Sequence, residues 1–123
     1  MSRVLLVDDN SQLLELYRLI LEHAGHQVEI AATCGAAFVL LAEIDPEVVI
    51  MDLHVPEMAD GLALIRAVKN HQRPPGAHPV KVIVTSGWAD ALPAGAEKDS
   101  VDRVLTKPVR MQVLLRSIAE LAQ

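Results

Sequence analysis

The chain has 123 residues, of which 51% are hydrophobic and 22% are charged, and its formal net charge is −5. This length is that of one ordinary domain, and this balance predicts a folded chain, so we expect residues 1–123 to form a single domain. The 11 Lys and Arg residues form no run, and one Trp, one Tyr and one Phe cannot build a base-stacking platform, so we expect no direct binding of nucleic acid.

Simple features of the sequence exclude two further classes. The longest apolar stretches are far shorter than the roughly 20 residues that cross a membrane. The N-terminus has no secretory signal pattern, so we expect a cytoplasmic protein that does not associate with membranes. Cys34 is the only cysteine, which excludes an intrachain disulfide and predicts a small buried side chain on a helix.

Short apolar runs alternate with amphipathic segments from the N-terminus onwards. Residues 4–7 predict a first strand, and the polar residues after it cap a helix over Ser11–His23. Gly25 ends this helix, and the alternating pattern of Gln27–Ala31 predicts an edge strand. The apolar face of the helix consists of Leu13, Leu14, Tyr17, Ile20 and Leu21.

The middle of the chain repeats this order. Thr33 caps a helix that extends to about Glu43. The continuously apolar residues 48–51 predict a strand that is covered on both faces and stops at Asp52. Gly61 opens a third helix over residues 62–70, and the polar segment 73–79 predicts a loop.

The C-terminal part contains two more predicted strands, over residues 80–85 and 101–106. Pro93 and Gly95 predict that any helix in the segment 88–100 between them is short or irregular. A final helix follows over residues 109–121. Its apolar side consists of Val113, Leu114, Ile118 and Leu121.

Five β/α units of this kind define a fold class. Parallel strands joined by right-handed crossovers, with helices on both faces, form an open, doubly wound sheet. We therefore predict an α/β protein with a five-stranded parallel sheet of order 2-1-3-4-5, a flavodoxin-like three-layer sandwich.

Acidic side chains stand at the carboxyl ends of two predicted core strands. Asp8 and Asp9 follow the first strand, and Asp52 ends the third. Ligands of open α/β sheets bind at this edge where the strand order reverses, between strands one and three, so we expect the acids to converge. Three clustered carboxylates need a compensating cation, and hard oxygen ligands suit Mg²⁺ or Mn²⁺.

Hydroxyl and basic side chains are predicted at the same edge. Thr85 and Ser86 close the fourth strand, and Lys107 follows the fifth. Taken alone, an Asp-Asp pair most often caps a helix, a serine belongs to a turn and a lysine is solvated. Only the combination of acids, hydroxyl and cation predicts a functional site.

Four motifs resemble the receiver domains of bacterial response regulators. They are VLLVDDN from residue 4, VVIMDLHVP from residue 48, VIVTSG from residue 82 and LTKP from residue 105, and together they extend over essentially the whole chain. The chain is similar to a single, chemotaxis-regulator-like receiver domain of a two-component phosphorelay. The resemblance implies the fold just predicted and a switch operated by phosphorylation.

The resemblance also implies a role for each residue of the site. Asp52 accepts the phosphoryl group from a sensor histidine kinase or a histidine phosphotransfer protein. Mg²⁺, or alternatively Mn²⁺, is held by Asp8, Asp9, Asp52 and the backbone carbonyl of His54. Lys107 pairs with Asp52 at rest and with the phosphoryl group afterwards.

Further implications concern the switch. Ser86 matches the hydroxyl that moves to the phosphoryl group, and Thr85 is the alternative if the alignment shifts by one residue. The Lys107-Pro108 peptide is expected to be cis. The conformational change would then alter the binding of a downstream protein.

Some positions depart from the family pattern. The loop PEMADG over residues 56–61 is one residue longer than usual, and Val104 stands where an aromatic residue commonly turns inward. His54 and Trp88 flank the site at positions that tune the lifetime of the phosphoryl group in this family. Trp88 could instead simply be half-buried against its loop.

Several alternatives remain open at this stage. The chain could be a receiver-like module that binds proteins without phosphorylation, a flavodoxin-like cofactor-binding protein, or a metal-dependent phosphatase. Asp8 and Asp9 would repel a cofactor phosphate, and no capping segment for a phosphatase is apparent. We expect a phosphoacceptor rather than a turnover enzyme, and a monomer or weak dimer. The remaining histidines are expected at the surface; they are His23, His26, His71 and His78.

Overall fold

The computed structural model describes residues 2–53, 58–87 and 100–121. Within these ranges, five parallel strands form one sheet in the order β2-β1-β3-β4-β5, which confirms the predicted fold class. The predicted irregular segment 88–100 lies almost wholly outside the described residues. The elements are β1 (Arg3–Val7), α1 (Ser11–His23), β2 (Gln27–Ala31), α2 (Cys34–Ile44), β3 (Val48–Asp52), α3 (Met58–Asn70), β4 (Lys81–Ser86), β5 (Arg103–Thr106) and α4 (Met111–Leu121).

Helices cover both faces of the sheet and create two hydrophobic cores. One core packs α2 and α3 against the sheet through residues such as Leu41 and Leu64. The other packs α1 and α4 against the opposite face through residues such as Leu21 and Ile118. The molecule is therefore the predicted three-layer arrangement.

The position of each strand explains its hydrophobic pattern. Successive side chains of a strand point to opposite faces, so a central strand must be apolar on both. In β3, Val49 and Met51 belong to one core, and Val48 and Ile50 belong to the other. β2 lies at the edge of the sheet, as its alternating pattern predicts.

The predicted helix caps of α1 and α2 are formed by single side chains. Asn10 Oδ1 accepts a hydrogen bond from Leu13 N at 3.1 Å, and Thr33 Oγ1 accepts one from Ala36 N at 3.1 Å. Each cap satisfies an amide that the first turn of a helix leaves without a partner. Cys34, the first residue of α2, is half-buried and packs against the core.

Most element boundaries lie within two residues of the prediction, and the starts of α3 and β5 differ from it for a visible reason. α3 begins at Met58, so Gly61 lies inside the helix and does not open it. This glycine reflects packing, because a Cβ atom there would lie 1.9 Å from Leu53 O. β5 begins only at Arg103: Asp102 N still donates to Val82 O at 2.9 Å, but Val82 N donates to the Asp102 carboxylate at 2.8 Å rather than to a backbone carbonyl.

The apolar face predicted for the last helix was partly wrong. α4 begins at Met111, Val113 is 39% exposed, and Ser117 is only 1% exposed. Ser117 Oγ donates to Val113 O at 2.8 Å, so its hydroxyl is satisfied within the helix and can be buried. Leu114 and Ile118 occupy the core as predicted.

Asp45 organises the end of the sheet opposite to the acids. It ends α2 in the left-handed region, with φ of 46°. Its carboxylate accepts hydrogen bonds from Arg73 Nε at 3.0 Å and Arg73 Nη2 at 3.4 Å, and lies 2.9 Å from His71 Nε2. Arg3 Nε donates to its backbone carbonyl at 3.1 Å. His71, expected at the surface, is therefore half-buried in a network that joins three segments.

The close approach of Gly61 to Leu53 predicts that alanine lowers the free energy of unfolding at Gly61, whereas it raises this free energy at Gly35. Gly61→Ala should destabilise the protein by about 1–3 kcal/mol, because α3 must move away from Leu53. Gly35→Ala in α2 should stabilise it by up to about 1 kcal/mol, because the nearest atom lies 3.9 Å from the added carbon and alanine favours the helix. Urea unfolding of both variants measures these changes, and equal effects would contradict the packing argument.

A second stability prediction concerns the charge of Asp45. Its hydrogen bond to Arg73 and its contact with His71 hold the pKa of this carboxyl below its ordinary 3.8. The stabilisation is therefore fully present above pH 3.8 and is lost as the pH falls through the lower pKa of the folded protein.

Asp45→Asn isolates this charge, because Asn also tolerates the left-handed region. At pH 7 the variant should lose about 1 kcal/mol of unfolding free energy, and the difference from wild type should shrink below pH 4, on the order of the ordinary Asp pKa. Urea unfolding at several pH values measures it, with Glu22→Gln, a change at an exposed acid of α1, as the control. A difference that does not depend on pH would refute the role of the charge.

Candidate functional site

Parallel strands bring the predicted site residues to one edge of the sheet. Asp8 and Asp9 directly follow β1, Asp52 is the last residue of β3, and Lys107 directly follows β5. β1 and β3 are neighbours, with Val7 paired to Met51, so their carboxyl ends are adjacent. β5 reaches the same edge because β4 pairs with β3 on one side and with β5 on the other.

The three acids form a compact cluster. One carboxylate oxygen from each of Asp8, Asp9 and Asp52 lies within 4.8 Å of the others. Asp8 is buried, Asp52 is half-buried and Asp9 is exposed, so the cluster opens toward solvent on one side. Asn10 N donates to Asp8 Oδ1 at 2.9 Å and fixes the direction of that carboxylate.

Lys107 supplies the positive charge of the site. Its Nζ donates to Asp8 Oδ2 at 3.1 Å and to Asp52 Oδ2 at 3.0 Å. Burial lowers the pKa of Lys107, but the hydrogen bonds to Asp52 and Asp8 and the two negative charges outweigh burial, so the pKa lies above its ordinary 10.5. The ammonium group therefore stays charged and bridges two carboxylates that would otherwise repel each other.

The donor set fits a hard divalent cation. Three carboxylates supply oxygen ligands of the type that Mg²⁺ prefers, and the open side leaves room for water or phosphate oxygens. A cation here would share Asp8 and Asp52 with the Lys107 ammonium.

Two buried hydroxyl residues end β4 beside Asp52. Thr85 pairs with Asp52 across the sheet, and its Oγ1 donates to Met51 O at 3.4 Å. Ser86 is fully buried, and its carbonyl accepts a hydrogen bond from Lys107 N at 2.7 Å. The last residue of β4 thus holds the backbone of the site lysine.

The remaining predicted positions divide into two groups. The Lys107-Pro108 peptide is cis, and the Val104 side chain points outward at 42% exposure. His54 and Trp88, together with the first part of the 56–61 loop, lie outside the described residues.

One residue beside the site was assigned only to the hydrophobic core by the sequence. Tyr17 lines a groove together with Lys107, and it lines a small cavity together with Asp8 and Thr85. The available signal was its place in the second turn of a helix that begins two residues after Asp9, which brings it close to the acids.

Comparison with known proteins identifies the class. Residues 4–119 match the family described as response regulator receiver domain. The chain belongs to this family, whose general function is switching by phosphorylation and whose members act with histidine kinases and downstream effectors.

Individual relatives support this membership. The chain is similar to the virulence transcriptional regulatory protein PhoP of Salmonella typhimurium, with 36% identity over 99% of this chain and 55% of that protein. The transcriptional regulatory protein PhoP of Escherichia coli is 35% identical over 98% of this chain and 55% of that protein. The chain thus spans about half the length of both relatives.

Solved structures show the same fold. A receiver domain protein from Methanospirillum hungatei superimposes with a TM-score of 0.78 at 30% identity, covering 99% of this chain and 94% of that one. Response regulator TrrA of Thermotoga maritima, solved in complex with Mg²⁺-BeF, gives a TM-score of 0.82 at 20% identity, covering 98% and 99% of the two chains. The similarity to TrrA is one of fold alone.

Within the described ranges, the structure has no helix long and apolar enough to cross a membrane.

Proposed function

We propose that this chain is one receiver domain over residues 1–123 and that Asp52 accepts a phosphoryl group from a sensor histidine kinase or a histidine phosphotransfer protein. The observation that carries the proposal is the convergence of three carboxylates and one ammonium group at the carboxyl edge of the sheet. Of the acids, Asp52 combines partial burial with a hydrogen bond to Lys107, which suits a nucleophile held in one orientation.

The transfer step needs little chemistry from the protein. A carboxylate oxygen of Asp52 forms a bond to phosphorus, the bond from phosphorus to the donor imidazole nitrogen breaks, and that nitrogen keeps the electron pair. Mg²⁺, with Mn²⁺ as a substitute, would be held by Asp8, Asp9, Asp52 and the carbonyl of His54, and would neutralise charge on the phosphoryl oxygens. The chain itself orients the nucleophile, as expected for a loose transition state.

Lys107 has a different partner before and after transfer. Before transfer its ammonium neutralises Asp8 and Asp52. Phosphorylation adds close to two negative charges beside Asp52, so the ammonium turns to a phosphoryl oxygen. This change in charge drives the switch.

Ser86 carries the change into the fold. Its hydroxyl bonds the phosphoryl group, and Thr85, whose hydroxyl donates to Met51 O, is the alternative. A shift of Ser86 also moves Lys107, because the two backbones are hydrogen-bonded. Val104 points outward and is not aromatic, so this switch operates without an inward-turning ring.

Other parts of the proposal follow from family membership and charge. The domain acts in the cytoplasm as a phosphoacceptor rather than a turnover enzyme, as a monomer or weak dimer, and His54 and Trp88 tune the lifetime of the phosphoryl group. Its output is altered binding of a downstream protein, with no direct contact of this domain to nucleic acid, because its net charge is −5.

Binding of the cation is tested first. Asp9→Asn should weaken Mg²⁺ binding, and Lys107→Met should strengthen it by roughly tenfold, because the ammonium competes for Asp8 and Asp52. Isothermal titration calorimetry measures both, with Lys69→Met as the control, since Lys69 pairs with Asp102 away from the acids. Equal affinity in wild type and Asp9→Asn would exclude this cluster as the cation site.

Phosphorylation is tested by incubating the protein with Mg²⁺ and acetyl phosphate and measuring the intact mass. Wild type should gain about 80 Da, the mass of one phosphoryl group. Asp52→Asn should gain nothing, whereas Glu22→Gln, at an exposed acid of α1, should behave as wild type. An adduct that persists in Asp52→Asn, or its absence from wild type, would overturn the assignment, and the second result would favour a receiver module that works without phosphorylation.

A further inference from the structure

Tyr17 borders an open groove on the surface and also a small cavity beside the acid cluster. The groove has a volume of about 490 Å³ and is lined by Lys107 and Pro108 together with Leu13, Leu16, Tyr17 and Met111. On its inner side, Tyr17 borders a cavity of about 10 Å³ beside Asp8 and Thr85. One aromatic side chain therefore borders both the open groove and the small cavity beside the acids.

The Tyr17 side chain belongs to the same hydrophobic core as residues on both sides of Lys107. Tyr17 is 8% exposed and belongs to the core between α1, α4 and the sheet. Leu105 and Val109, two residues before and two residues after Lys107, pack against the same core. The ring and the backbone segments that flank the lysine are thus packed into one core.

The electrostatic environment of Tyr17 is consistent with a position near Lys107 and Asp8. Burial raises the pKa of Tyr17, the positive charge of Lys107 lowers it, and the negative charge of Asp8 raises it. Both charged groups therefore act on the phenol.

The Lys107 side chain is flexible, so a neighbouring group that limits its movement would stabilise one orientation. A lysine has a flexible four-carbon stem and loses considerable conformational freedom when its ammonium is held in one place. The Lys107 side chain is 27% exposed, and the groove offers it a path away from Asp8 and Asp52 into water. A bulky ring at the groove closes part of that path.

We propose that Tyr17 is a positioning residue for Lys107, and that its ring, which lines the groove together with the lysine, limits the movement of the lysine side chain into the groove and keeps the ammonium directed at Asp8 and Asp52. The ring carries this role. Among residues 2–53, 58–87 and 100–121 the structure gives its hydroxyl no hydrogen-bond partner. The consequence for phosphoryl transfer rests on the function proposed above.

The direct test measures the accessibility of the Lys107 amine. Metal-free protein is treated briefly with acetic anhydride, and acetylation is quantified for each lysine by peptide mass spectrometry, with Lys81 as the internal reference. Tyr17→Leu should increase acetylation of Lys107 several-fold, and Tyr17→Phe should leave it at the wild-type level. Ile118→Val removes a methylene from the same core away from the groove and should also leave it unchanged.

The result decides between positioning and general loosening. Unchanged acetylation of Lys107 in Tyr17→Leu would overturn the proposal. An equal increase in Ile118→Val would overturn it as well, because loss of core packing would then explain the effect. The acetylation experiment requires no phosphorylation, so its result remains valid even if Asp52 proves not to be the acceptor.

A double-mutant cycle tests the consequence for transfer. The rate of phosphorylation by acetyl phosphate is measured in wild type, Tyr17→Leu, Lys107→Met and the double variant. Tyr17→Leu should slow wild type several-fold and should have no further effect once Lys107 is absent. Equal slowing in both backgrounds would show that Tyr17 acts independently of Lys107, and rates in the Lys107→Met background too slow to measure would leave the acetylation result decisive.

Discussion

The bridge from one ammonium group to two carboxylates is the interaction on which the site depends. Asp8 and Asp52 both accept a hydrogen bond from Lys107, at 3.1 and 3.0 Å. Two like charges about 4 Å apart repel by roughly 4 kcal/mol at an effective dielectric near 20, so carboxylates this close are stable only with a cation between them. The lysine keeps the cluster assembled while leaving it receptive to a stronger cation and to a phosphoryl group.

The sheet makes this bridge possible between residues that are distant in sequence. Asp8 and Lys107 are separated by 99 positions, and only the parallel order β2-β1-β3-β4-β5 brings their strands to one edge. The strands are held in register by two cores that cover both faces. Side chains at the carboxyl edge are thus placed by packing elsewhere, so the site itself can carry unfavourable charge.

Much of this arrangement could be predicted because its signals are local. The apolar run at residues 48–51 indicates a strand covered on both faces, and an acid at its end indicates a ligand edge. The predicted start of α3 at Gly61 was wrong, because a glycine required by contact with Leu53 cannot be distinguished in the sequence from one that precedes a helix. The Asp45 network joins residues 26 and 28 positions apart, which no periodic pattern indicates. The position of Tyr17 beside the site could not be predicted for a similar reason, since the apolar face of a helix does not indicate which of its residues lies near a charged group.

The two ends of the sheet differ in their balance of charge. At the amino end, the negative charge of Asp45 is matched by Arg73 and by Arg3, so that end gains stability from its charges. At the carboxyl end, the described part of the chain places three carboxylates beside one ammonium, which pairs with Asp8 and Asp52, so the net charge of this group remains negative. A site left short of positive charge binds a cation readily and changes when charge is added, which is what a switch requires. In the proposed switch, the hydrogen bond from Lys107 N to Ser86 O matters most, because it would link the group that senses the added charge to the end of the strand that moves.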